Sequence, residues 1–287
     1  MEKLWRVKDL LEWTARYFKE KGLEESRLEA DILLAHVLEK DRVYLYANYD
    51  RPVNQAERDT YRSYIRRRVM GEPVAYITGH KEFMSLDFLV NKDVLIPRPD
   101  TEVLVETALE IARNEEITQV CDVGTGSGAI AISLAKLLGD GVMVYGVDIS
   151  ARALEVAAAN AERLHVSVDF RRSDLLSAFP EKAKMDLITA NLPYIPHAIW
   201  QELDSTVRDY EPELALVADD SDGLEIYRRL VPQAYETLRP GGILLMEIDP
   251  RQAETAMTIV SGFDEVMIIP DYAGRDRVVR CRRKNEL

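Results

Sequence analysis

Asn191-Leu192-Pro193-Tyr194 follows a strand-like run from Met185 to Ala190. It lies downstream of a glycine loop, Asp122-Val123-Gly124-Thr125-Gly126-Ser127-Gly128. An amide or exocyclic base nitrogen has its lone pair delocalised into a π system, so it attacks carbon poorly unless acceptors hold its two hydrogens. Asn191 Oδ1 and the next backbone carbonyl can be those acceptors. Tyr194 offers a flat face against which a planar group can lie. A donor loop facing such a pair is suited to group transfer onto a planar nitrogen.

The glycines sit where a strand turns into a helix, a place where they let the backbone approach a ligand with its N–H groups pointing outward. Gly124, Gly126 and Ala129 also satisfy a G-x-G-x-x-[GA] dinucleotide fingerprint, and Asp148 ends the next strand, where an acid holds ribose hydroxyls. Dinucleotide and S-adenosylmethionine readings share these residues. The second places the loop beside the methionine part, Asp148 with Ile149 on the ribose, and Asp174 with Leu175 at the adenine. Asp148 is also placed to cap the helix from Ala151, a role Ser150 fills equally well; the glycine loop upstream favours ribose. Ser173-Asp174 is equally suited to a turn. Asp122 either orients loop amides or meets the amino group of the ligand.

Alternating strand and helix patterns position these loops. Strands are expected over 119–123, 142–147, 166–170, 185–190 and 242–247, with helices over 128–138, 151–163, 223–238 and 251–261. Such alternation implies right-handed crossovers and a mostly parallel α/β sheet, with 265–269 and 277–281 as an antiparallel edge hairpin. Ahead of it, helices over 6–20, 26–40 and 55–70 form a small all-α bundle. Ser26-Arg-Leu-Glu29 fits a capping box, and Arg58, Arg62, Arg66, Arg67 and Arg68 crowd the last of these helices. Gly71-Glu-Pro73 breaks it, and 83–90 reads as strand or hairpin. The domains expected are 1–75, helical; 76–96, a linker with a β-hairpin; and 97–287, the α/β domain.

Net charge of −13 opposes non-specific attraction to nucleic acid and favours a protein or small-molecule substrate. No apolar run reaches 18 residues and no cleavable signal pattern opens the chain, so a cytoplasmic protein without membrane contact is expected. Cys121 and Cys281 form no CxxC pair, and the four histidines show no HxxxH or HExxH spacing, so no metal is expected.

Several segments together resemble the bacterial protein-glutamine N5-methyltransferases that modify peptide chain release factors. They are Gly71-Glu-Pro-Val-Ala-Tyr-Ile-Thr-Gly79, Phe83, Leu95-Ile-Pro-Arg-Pro-Asp-Thr-Glu-Val-Leu-Val105, Asp122 to Gly128, Asn191 to Tyr194, Glu211-Pro-Glu-Leu-Ala-Leu216, Asp222-Gly-Leu224 and Asp271-Tyr-Ala-Gly-Arg-Asp-Arg277. Pro97 to Glu102 is the most specific, since general methyltransferases lack it. The resemblance implies a Rossmann-like class I methyltransferase sheet. It implies methyl transfer from S-adenosylmethionine, leaving S-adenosylhomocysteine, to the amide N5 of the glutamine in a Gly-Gly-Gln loop of a release factor. The helical domain would help hold that factor, and a monomer is expected. Asp122, Val123, Gly124, Thr125, Gly126, Gly128, Asp148, Ile149, Asp174, Leu175 and Asn191 carry over as cofactor contacts. Asn191, Leu192, Pro193 and Tyr194 carry over as the glutamine site, with Leu95 and Arg98 on the substrate side.

Two departures stand out. The family pattern is Asn-Pro-Pro-Tyr, and Leu192 here replaces the first proline, which frees φ and adds an N–H that must find a partner. Leu175 stands where some members place an aromatic residue beside adenine. Asn-Leu-Pro-Tyr is also the pattern of ribosomal RNA adenine N6-dimethyltransferases; the acidic charge, the helical segment and Pro97 to Glu102 argue against that reading. Glutamine methylation of a ribosomal protein is the nearer alternative, and a non-enzymatic ligand-binding adaptor the remotest.

Overall fold

The runs Gln119–Val123 and Met185–Ala190 are buried along nearly their whole length, as strands covered on both faces must be. In the computed structural model, which describes residues 4–180 and 184–285, they pair side by side at the centre of a seven-stranded sheet. The domain limits expected at 1 and 287 lie outside the described residues.

The chain divides into two units, one running up to Gly79 and including Ser205–Tyr210, the other holding the rest. In the first, α1 (Val7–Glu20), α2 (Ser26–Val37), α3 (Arg42–Ala47), α4 (Gln55–Val69) and α5 (Val74–Thr78) enclose Leu11, Phe18, Leu33, Leu34, Leu45 and Tyr61. The short α3 and α5 were not expected. The capping box expected at Ser26 does not form. Glu25 occupies the N-cap, Ser26 lies in the first turn with its hydroxyl donating to the Leu23 carbonyl, and Glu29 instead takes a two-point bond from Arg68. A capping box does form at Asn54 and Glu57, opening α4. Of the arginines on α4, Arg62, Arg67 and Arg68 are each engaged by a carboxylate.

In the second unit, β1 (His80–Phe83) and β2 (Leu86–Leu89) make a hairpin, followed by a 3-10 turn at Pro99–Thr101 and α6 (Glu102–Asn114). The alternation then runs β3 (Gln119–Val123), α7 (Ala129–Leu138), β4 (Met143–Asp148), α8 (Ala151–Leu164), β5 (Asp169–Arg172) and β6 (Met185–Ala190). A short pair follows, β7 (Ile195–Pro196) and β8 (Val217–Ala218), with α9 (Ser205–Arg208) of the first unit between them in sequence. Then come α10 (Glu225–Thr237), β9 (Leu238–Glu247), α11 (Ala253–Ile259), β10 (Asp264–Pro270) and β11 (Asp276–Arg282).

Strand order is β10-β11-β9-β6-β3-β4-β5, with β10 and β11 antiparallel and the others parallel. The strand expected over 166–170 begins later, because His165 turns left-handed and the Val166 N–H closes α8 onto Ala161. Order reverses between β3 and β6, so their C-terminal ends flank a crevice where open α/β sheets bind ligands.

Candidate active site

The register pairs Val123 with Ala190, so Gly124 and Asn191 leave the sheet side by side. Gly124 is at φ +73, and a Cβ there would lie 2.6 Å from Leu192 Cδ2. The left-handed φ is what favours glycine here, and a side chain at 124 would also have to push the Leu192 tip aside. Gly128, at φ +80, meets Ile132 and Ala157 in the same way and joins loop to helix.

Four of the five N–H groups from Gly124 to Gly128 are bonded within the protein. Gly124 and Thr125 donate to the Val147 carbonyl, Gly126 to Asp148 Oδ2 at 2.9 Å, and Gly128 to the Thr125 carbonyl. The outward-pointing amides expected of this loop are therefore mostly committed inward. A pyrophosphate needs such amides free, so the loop suits close approach of a ligand better than the cradling of an anion.

A cavity of about 410 Å³ opens over these strand ends. Among the expected residues, Leu95, Arg98, Val123, Gly124, Thr125, Gly126, Asp148, Ile149, Asp174, Leu175, Asn191, Leu192 and Pro193 line it. Asp122, Gly128 and Tyr194 do not. Asp122 lies beneath the loop, fully buried, with Oδ1 accepting from the Thr189 hydroxyl. Burial pushes its carboxyl up to about 7, against the pull of the Thr125 and Thr189 hydroxyls. The ring of Tyr194 packs on the core with its hydroxyl 3.5 Å from Glu247 Oε1, so the open aromatic face expected of it is not presented to the cavity.

Ser150 is the cap of α8, accepting from Ala153 N–H, which leaves Asp148 to another purpose. Its carboxylate accepts from Gly126 and Ser150 N–H, and burial raises its pKa. Asp174 is held by Arg229 at 2.5 Å, and Leu175, buried, takes φ +52. A leucine in the left-handed region is uncommon and carries strain, and here it falls on the cavity wall.

Asn191 Nδ2 donates to Thr101 Oγ1 at 3.1 Å. No described residue donates to Asn191 Oδ1 or to the Leu192 carbonyl, and these are the two acceptors the reading requires. The N–H that Leu192 adds is bonded to the buried Tyr227 hydroxyl at 3.1 Å, and that hydroxyl donates to the Glu247 carbonyl at 2.5 Å.

Most of the supporting residues lie in the segments that carry the resemblance, but their partners were not foreseen. Glu211, buried, accepts from Ile96 N–H and pairs with Arg98, setting the segment that leads to Thr101. Asp100 is held by Arg275 and Arg277, themselves bound to Asp271. Gln252 Nε2 bridges the carbonyls of Tyr194 and Asp222. The position of Glu247 at the end of a parallel strand was the one available signal for it.

Comparison with known proteins gives this arrangement its relatives. Residues 9–79 match the PrmC N-terminal domain family, and residues 114–276 match a methyltransferase domain family. A release factor glutamine methyltransferase of Geobacter sulfurreducens is 44% identical, with 97% of each chain covered. One from Chlorobaculum tepidum is 41% identical over 98% of each. Among solved structures, a 16S rRNA N2 G1207 methyltransferase of Thermus thermophilus superposes with TM-score 0.52 at 18% identity, covering 71% of this chain and 50% of that one. A methyltransferase of Pyrococcus furiosus gives 0.50 at 16%, covering 76% and 97%. At those identities the likeness shows the fold alone. The near-full-length identity to the first two proteins extends over both units, the Thr101 segment and the Asn191 loop, and the chain therefore belongs to the release factor glutamine methyltransferase family and is a methyltransferase enzyme.

Proposed function

We propose that this enzyme methylates the side-chain amide nitrogen, N5, of the glutamine in the Gly-Gly-Gln loop of peptide chain release factors. S-adenosylmethionine, when bound, supplies the methyl group on an electrophilic sulfonium. The unengaged pair of acceptors, Asn191 Oδ1 and the Leu192 carbonyl, beside the glycine loop is the observation that carries the reading.

The residues present fit such a donor. Thr125, Gly126 and Asp148 line the cavity over the strand ends, and Gly124 keeps the loop free of a side chain where a ligand would approach. Asp148 keeps acceptor capacity for ribose hydroxyls beside its two N–H donors. Asp174 and Leu175 border the adenine, Val123 to Gly126 and Ile149 line the donor pocket, and Leu95, Arg98, Leu192 and Pro193 belong to the glutamine side. Residues 1–75 serve in recognising the factor.

Holding the nucleophile at near-attack distance contributes roughly 7 to 11 kcal/mol in well-oriented systems. Asn191 Oδ1 and the Leu192 carbonyl strengthen their hold as the nitrogen becomes positive, which favours the transition state over the ground state. No strong base is needed, since the proton on the methylated nitrogen is acidic enough to leave to a carbonyl or water.

The test is transfer of labelled methyl to a purified release factor beside a variant whose Gly-Gly-Gln glutamine is replaced. Label on the native factor alone is expected. Label on both, or on a ribosomal protein in preference, overturns the assignment of substrate.

A further inference from the structure

We infer that Gln252 is a positioning residue for the transfer: it clasps the far end of the Asn191 loop and so sets where the two acceptors point. The inference rests on the reading of Asn191 Oδ1 and the Leu192 carbonyl as those acceptors. Gln252 does not line the cavity. It closes the 3-10 turn Pro250–Gln252 that follows β9, and it acts through the backbone of Tyr194.

The side chain is 7% exposed, and its amide is fully used. Nε2 donates one hydrogen to the Tyr194 carbonyl at 2.8 Å and the other to the Asp222 carbonyl at 2.7 Å, while Oε1 accepts from the Asp249 N–H at 3.1 Å. These partners settle which way the amide faces. Turned over, Oε1 would meet two carbonyl oxygens and Nε2 an N–H, so three bonds would become three repulsive contacts. Capping the turn does not itself require glutamine, because the bond from the Asp249 N–H is one that glutamate makes equally well. What glutamine adds is a pair of donors, and both go to holding the Asn191 loop against the turn before α10.

The stretch from Leu192 to Tyr194 hangs between two anchors. The Leu192 N–H goes to the Tyr227 hydroxyl at 3.1 Å, and the Tyr194 carbonyl goes to Gln252. Pro193 between them has no N–H, and its ring fixes φ. The direction of the Leu192 carbonyl therefore follows from where Tyr194 is held. Gly223, at φ +77, closes the other side of the Tyr194 carbonyl, since a Cβ there would lie 2.0 Å from its oxygen. Without the clasp that oxygen loses its donor and the loop is free to swing away from Gly223. Misplacing a group that faces the reacting atom by about 1 Å can cost on the order of 100-fold in rate.

The experiment compares the native enzyme with Gln252→Glu, Gln252→Met, Asn191→Ala and the double variant Asn191→Ala/Gln252→Met on a purified release factor. S-adenosylmethionine affinity and the unfolding midpoint are measured separately. Gln252→Glu keeps the bond that caps the turn and loses both donors to the loop. Gln252→Met loses them without adding charge, so an equal effect in the two variants belongs to the lost donors. Each is expected to lower kcat about tenfold or more, with KM and cofactor affinity within about threefold of native, as befits an interaction expressed at the reacting atom. In the Asn191→Ala background Gln252→Met should cost clearly less than it does alone, because the two residues serve one loop. Native kcat in both Gln252 variants, a loss confined to Glu, a fall in cofactor affinity as large as the fall in kcat, or fully additive losses in the double variant overturns the inference while Asn191→Ala still loses turnover. If Asn191→Ala itself keeps native kcat, the acceptor reading falls first and the role of Gln252 with it.

Discussion

Leu192 shows how a single departure from a family pattern is accommodated. Proline at this place would have no N–H; leucine brings one into a buried loop, and Tyr227 receives it while bonding the Glu247 carbonyl with its own hydrogen. One hydroxyl thus ties the end of β6 to the end of β9. Tyr227→Phe leaves the Leu192 N–H and one bond to the Glu247 carbonyl unsatisfied, and should cost about 1 to 3 kcal/mol in denaturant unfolding. In a Leu192→Pro background the same change should cost less, because the orphaned donor is gone. Equal costs in both backgrounds would remove Tyr227 as the partner that makes leucine tolerable.

At the scale of elements, the turns around the sheet work as braces for the Asn191 loop. Gly223, at φ +77 ahead of α10, lies against the Tyr194 backbone, where a Cβ would sit 2.0 Å from the Tyr194 carbonyl oxygen. No flexible side chain can give way there, so Gly223→Ala must displace the loop or the start of α10. It should lower activity together with thermal stability, the latter by roughly 2 kcal/mol or more. A variant with native turnover and melting would show that the approach is not tight in solution. Much at this scale was legible in the chain. The bounds of β3 and β6 follow from strand-like runs stopped by glycine and asparagine, and the two loops they end in hold most of the cavity-lining residues expected. What escaped has physical reasons. The six residues of α3 and five of α5 are too short to show a period. Ser26 looked like a cap because its spacing to Glu29 is right, but α2 begins at Ser26 with Glu25 at the N-cap, and Glu29 is drawn to Arg68. Thr101, Glu211 and Tyr227 find partners across long stretches of chain, which spacing does not encode.

For the whole molecule, two fully buried carboxyls near the site set a dependence on pH. Asp122 and Glu247 are each raised to about 7 by burial, whereas in the unfolded chain such groups titrate near about 4. Between these values the folded protein binds more protons than the unfolded one. Their contribution is therefore fully present below about pH 4, is lost as pH rises toward 7, and changes no further above it. Asp186, Asp249 and Asp271 work in the opposite direction, their carboxyls lowered by charged or hydrogen-bonding partners. The clean observable is a difference. From pH 5 to pH 8 the native enzyme should lose more stability, or gain less, than Glu247→Gln, measured as the shift in unfolding midpoint. Parallel curves for the two proteins would place the Glu247 carboxyl in its ordinary range.

The chain passes between its two units more than once, because Ser205–Tyr210 belongs with the helices at its beginning. Within that unit the Tyr210 hydroxyl bonds the Met70 carbonyl at 2.9 Å, and its ring lies 3.4 Å from where a Cβ on Gly71 would be. The helical unit is consequently not a detachable cassette. A chain begun at His80 would carry six residues whose resting place had been cut away, and a graft of the helices alone would arrive without one of its own walls.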